Sequence, residues 1–237
     1  RPAIAMLELI FAIVIMGIIL MSAPQLISTA AKSGYVAIQQ EAINEATSQV
    51  NMIMGYHWDE SASDERYIDP ILRVSSGDTD LEETGTTGRR IGTPKESYRT
   101  FIRTDGIDDL NASTIGTSDP GETGVYDEDD IDDFNGDTSL VEIEDAGLVD
   151  YVEDTTTINI NTTVRYISDT ANYSTNTLTF SPDLNISSGT TSSASSTNIK
   201  RITVSLTSSG PEELDKKIIL HGFSCNIGGY KLEEKDF

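Results

Sequence analysis

Cysteine is nearly absent: Cys225 is the only one in 237 residues, so no intrachain disulfide can form. If the chain works outside the cytoplasm, where disulfides usually staple small domains, it must be stapled in some other way. Histidine is almost as scarce, and His57 and His221 lie far apart in sequence. Transition-metal sites normally converge three or four ligands, so His57 with the adjacent Asp59 and Glu60 reads as surface decoration. Basic residues number 16 against 39 acidic ones, for a formal net charge of −23. This balance excludes a general binder of phosphate backbones, which needs clustered Lys and Arg, and nucleic acid is not an expected partner. There is also no Gly-rich loop between a strand and a helix, and no Ser-His-Asp set in a recognisable setting. Without a convergent constellation the chain does not read as an enzyme.

Charge is missing from one stretch altogether. From Leu9 through Ala31 no side chain is charged. At about 1.5 Å per residue this run makes a rod of roughly 34 Å, enough to cross a bilayer core of about 30 Å. It exceeds the apolar core of about 7–15 residues in a secretory signal, so Ser28-Thr29-Ala30 is not read as a signal-cleavage site. Glu8 lies at the start of the run, where an acid is costly and usually marks a functional position with a partner. Phe11 is the only aromatic before Tyr35, which disfavours conduction along stacked rings.

The segment Ile4-Ala5-Met6-Leu7-Glu8-Leu9-Ile10-Phe11, with Gly17 midway along the apolar run and Pro24 after it, resembles the class III signal and N-terminal helix of type IV pilins and type II secretion pseudopilins. The resemblance covers about the first thirty residues. It departs from the usual pattern in having Ala3 before the processing point, Ile4 after it, and Pro24 one residue early. It implies that a prepilin peptidase cuts between Ala3 and Ile4, leaving Ile4 as an N-methylated terminus. Glu8 would then pair with the Ile4 α-amine of a neighbouring subunit, each buried charge being compensated by the next copy. The implied partners are identical subunits in a helical filament, the inner membrane before assembly, and the pilus assembly machinery. The implied product is an extracellular fibre of a bacterium. A minor pilin or tip adhesin that binds while tethered to the membrane, and a pseudopilin that drives secretion, are the alternatives.

Helical periodicity continues beyond the apolar run. Tyr35, Ile38, Ala42, Ala46, Val50 and Ile53 fall on one face, and Gly55 is a plausible C-cap. Residues 1–28 are expected as a membrane or filament-core helix and 29–56 as an amphipathic continuation. Pro24 removes a backbone donor and Gly17 weakens helix, so a kink or local melting is expected between them. Residues 57–237 are expected as a β-rich head. Strands are expected at 97–103, 158–166, 176–180, 200–207 and 218–227, several with period-two alternation. Such strands suit an antiparallel sheet wet on one side. The amphipathic half of the helix is the only long apolar stripe able to cover the dry side, so the fold class is α+β, a long helix laid on an antiparallel meander.

From Thr104 to Val164 there is no Lys or Arg, and eighteen Asp and Glu carry −18 of the net −23. Such a block repels itself and is solvated unless cations bridge it. Against an EF-hand loop, Asp133, Asn135, Gly136 and Glu142 fall at the third, fifth, sixth and twelfth places, but Ile131 at the first cannot ligate. Calcium needs only a flexible shell of oxygens, so Asp133, Asn135, Asp137 and Glu142 are candidate ligands, with a solvated acidic loop at 104–154 as the alternative. The family resemblance points the same way, since some major pseudopilins bind calcium in a loop. Asn-x-Ser/Thr sequons occur at Asn111, Asn161, Asn172 and Asn185. Asn111 and Asn185 also have an acid two residues before them and are the candidate glycosylation sites.

Overall fold

The computed structural model describes residues 2–62, 70–81, 90, 110–116, 128–143, 156–169, 193–208 and 216–228. Helix α1 (Pro2–Ile53) runs unbroken for 52 residues. It passes through both Gly17 and Pro24 without interruption, so the melting expected between them is not a property of the single chain. Pro24 costs one donor, and the Ile-, Leu- and Ala-containing turns on either side carry the helix across it. At its end the helix tightens into three-residue turns, with Gly55 N donating to Met52 O (2.9 Å) and Tyr56 N to Ile53 O (3.1 Å). Gly55 does not take the left-handed conformation of a glycine C-cap; among the described glycines only Gly116, Gly136 and Gly228 have positive φ.

The head is built on four strands, β1 (Thr138–Ile143), β2 (Thr156–Ile167), β3 (Ile199–Ser208) and β4 (Ile218–Cys225), in the order β1-β2-β3-β4. Every neighbouring pair is antiparallel, so the sheet is a meander. Strands β2, β3 and β4 fall where strands were expected at 158–166, 200–207 and 218–227, β2 and β3 with the period-two alternation, while the strands expected at 97–103 and 176–180 lie outside the described residues. Strand β1 was not expected. It falls within the acidic tract, and its exposed edge position, with Leu140 64% accessible, gives it little alternation to recognise.

Helix α1 supplies the cover. Ala42, Ala46, Val50 and Ile53 are buried on Ile158, Ile160 and Val164 of β2 and on Ile202, Val204 and Leu206 of β3. Each fully buried aliphatic side chain contributes about 1.5–3 kcal/mol, and the alanines let the helix axis come close. On β4, a Cβ added at Gly222 would stand 2.9 Å from a Val50 methyl and 3.1 Å from Met54 Sδ. The far face of the sheet is not uniformly wet as expected: Arg201 and Thr203, which point away from α1, are each only 7% exposed.

Candidate functional site

Two features go beyond simple packing. The first is the N-terminal half of α1. Every described side chain from Ile4 to Ala30 is exposed, including Ile4 at 69% and Leu20 at 68%. The span is long and apolar enough to cross a membrane, and none of its most apolar window is buried within the chain. Cover begins only near Gly34 and Tyr35. Glu8 is exposed in the first half, among Leu7, Leu9, Phe11 and other apolar side chains, and no described residue pairs with it. Gly17 is likewise open, with nothing within 4 Å of an added Cβ. The side chain of Ala3 is outside the described set.

The second feature is a buried charge cluster where the end of α1 meets the acidic tract. Lys200 on β3 is 0% exposed. Its Nζ donates to Trp58 O (2.6 Å), to Asp59 Oδ2 (3.0 Å) and to Asp132 Oδ1, and both carboxylates are themselves buried. The ammonium also lies 4.6 Å from the centre of the Trp58 ring and 5.4 Å from that of Tyr166. Asp59 is held as an acceptor from several sides. Its oxygens take the Ser61 and Ser113 amides, the Ser113 hydroxyl (3.1 Å) and the Tyr166 hydroxyl (3.0 Å). Asp132 Oδ2 accepts from Gly116 N at 3.2 Å.

Asp130 adds a third buried carboxyl. Its Oδ1 accepts from the Asp132 and Asp133 amides, at 2.6 and 3.2 Å. Burial, followed by repulsion from Asp132, pushes its pKa up to about 8, against the opposing pull of Lys200. One amine cannot offset three carboxylates in a low-dielectric site, and Asp130 relieves the excess by keeping its proton. Burial raises the Tyr166 hydroxyl as well, reinforced by Asp59, so it remains a donor.

No family model, curated protein or solved structure matches this chain. Its chemistry is therefore read from its own residues. Of the four candidate calcium ligands, Asp133 lies in a carboxylate group with Glu60 and Asp129, their nearest oxygens within 4.8 Å of one another. This is close enough to share a divalent cation. Asp137 is not part of that group, and the side chain of Glu142 lies outside the described residues. Asn135 Oδ1 accepts from Val164 N (3.0 Å), and Gly136, at φ +100°, completes the turn by donating to Thr162 O (3.0 Å). The Asp137 carbonyl accepts from Thr162 N (2.9 Å) of β2 while its amide donates to Phe134 O (3.3 Å), and burial followed by repulsion from Glu128 raises its carboxyl. Glu142 is on β1, within the ladder to β2. Asp133 Oδ2 also accepts the Asp129 and Asp130 amides, both at 3.1 Å.

The acidic tract is thus not simply a solvated loop. At its described centre Ile131 and Phe134 are buried in the core, and Asp130 and Asp132 are buried beside them. Asp59 and Glu60, expected on the surface, are buried too. Two signals for this were present in the sequence: two large apolar residues three apart within an acidic run, and a lysine at an inward position of the β3 alternation. Of the sequons, Asn111 and Asn161 are exposed, while Asn172 and Asn185 lie outside the described residues. The hydroxyl of Ser113, in the Asn111 sequon, is engaged with Asp59.

Proposed function

We propose that this chain is a structural subunit that polymerises through its N-terminal helix into an extracellular, type IV pilus-like filament. One observation carries the reading: a continuous helix has one half packed into its own head and the other half, apolar and bare, with nothing among the described residues to cover it. A bilayer covers such a surface before assembly, and helices of identical subunits cover it afterwards. Glu8 then needs a cation from a neighbour, and the α-amine of a subunit processed at Ile4 is the one the pilin resemblance implies. The strongly acidic heads would form the filament surface, and their mutual repulsion would be screened by salt.

Gel analysis of filaments sheared from cells tests this reading. A filament-forming subunit dominates the sheared fraction and begins at Ile4. Recovery only in the membrane fraction, with no filament in electron micrographs, would instead favour a tethered binding module or a periplasmic pseudopilin.

A further inference from the structure

The ion pair at the centre of the head has the components of a condensation reaction. Lys200 Nζ touches Asp132 Oδ1, and an amine in contact with one carboxyl oxygen stands about 3–3.5 Å from the carboxyl carbon, the range of a near-attack geometry. The other oxygen, Oδ2, receives the Gly116 amide, a donor placed where negative charge develops if the carbon is attacked. A second carboxylate, Asp59 Oδ2, lies 3.0 Å from the same nitrogen and can accept a proton from it. Trp58 and Tyr166 line the cluster, and Lys200, Asp59 and Asp132 are at most 1% exposed, so water is excluded. Two buried ions are costly to keep, and a neutral amide removes both.

We infer that Lys200 and Asp132 join spontaneously in an intramolecular isopeptide bond, with Asp59 as the proton relay. The bond formed is Nζ–Cγ of Asp132, and the bond broken is Cγ–Oδ1. The ammonium gives up one proton directly to Oδ1, and a second travels by way of Asp59. The oxygen leaves with both as water, Oδ2 becomes the amide oxygen, and nothing is oxidised or reduced. The link closes a 68-residue separation and ties the acidic turn to the central strand β3. It would supply the covalent staple that a chain with the single, exposed Cys225 cannot obtain from a disulfide. It does not depend on whether the chain forms filaments.

The test is mass spectrometry of the purified full-length chain after denaturation and tryptic digestion. With no Lys or Arg between 104 and 164, trypsin yields segment 104–165, which contains Asp132, and segment 166–201, which contains Lys200. The expected result is a single joined species, lighter than the sum of the two segments by one water and uncleaved after Lys200. Lys200→Met should abolish it, and Asp59→Asn should lower the joined fraction at least tenfold. Recovery of wild-type 104–165 separately, with cleavage after Lys200, would overturn the bond. Joining of segment 33–66 to 166–201 would overturn Asp132 as the partner in favour of Asp59. A fully joined Asp59→Asn chain would overturn the relay.

Discussion

Lys200, Asp59, Asp132 and Asp130 decide the stability of the head one residue at a time. Removing the amine alone strands Asp59 and Asp132 in a dry site. Lys200→Met is therefore expected to cost at least about 3–5 kcal/mol, more where the crosslink to Asp132 has formed and is lost with the amine, read by denaturant unfolding of the full chain in detergent. Asp130 acts in the opposite sense. Its folded-state pKa of about 8 lies above its ordinary value of 3.8, so between those values the native chain binds more protons than the unfolded one. Stability from this group then falls as pH rises, with a slope of at most about 1.4 kcal/mol per pH unit. Asp130→Asn keeps the oxygen that caps the Asp132 and Asp133 amides and removes the titration. The variant should flatten the loss of stability between pH 5 and pH 8, and an unchanged slope would show that Asp130 is not the group responsible. Burial is the leading cause of the shift, so its direction holds whether or not Asp132 is crosslinked.

At the scale of elements, the joint between α1 and the sheet depends on small residues at close approaches. Gly222 has no room for a side chain beside Val50 and Met54. Gly222→Val is expected to cost about 1–3 kcal/mol by overpacking, and Ala46→Leu a similar amount, both measurable by thermal unfolding. Truncation at the acidic turn, Phe134→Ala, should cost about 3–5 kcal/mol, since Phe134 is 5% exposed and packs edge-on against Tyr56 with ring centres 4.9 Å apart. A near-neutral result would mean that the turn is not part of the core. These joints also mark what could be read in the sequence. The face Ala42-Ala46-Val50-Ile53 was legible because helical spacing repeats over four turns, β2 and β3 because alternation persists for eight residues or more, and β4 from its apolar start at Ile218-Ile219-Leu220. The acidic turn was not legible, because −18 over 61 residues outweighs two apolar residues in any local reading. That Asp130 and Asp132 are buried is a tertiary fact, set by Lys200 some seventy residues later. Edge strand β1 was hidden for a related reason, since its described side chains, Thr138, Ser139 and Leu140, are all exposed.

For the whole molecule, the division of α1 into a packed half and a bare half is the fact to be explained. No described part of the head covers residues 4–30, and the described centre of the acidic tract, with Ile131 and Phe134, joins the core at the other end of the helix with Val50 and Ile53. On the filament reading we propose, the two parts of the chain do different work: the apolar rod supplies cohesion and the charged head supplies solubility. On the filament reading, the rod is where subunits meet and Glu8 is the one charge that must be matched there. Sheared-filament yield from cells expressing Glu8→Ala, compared with wild type at equal membrane levels of the subunit, tests that claim most directly. Loss of filaments while the subunit remains in the membrane is the expected result, and wild-type yield from Glu8→Ala would contradict the pairing of Glu8 in assembly.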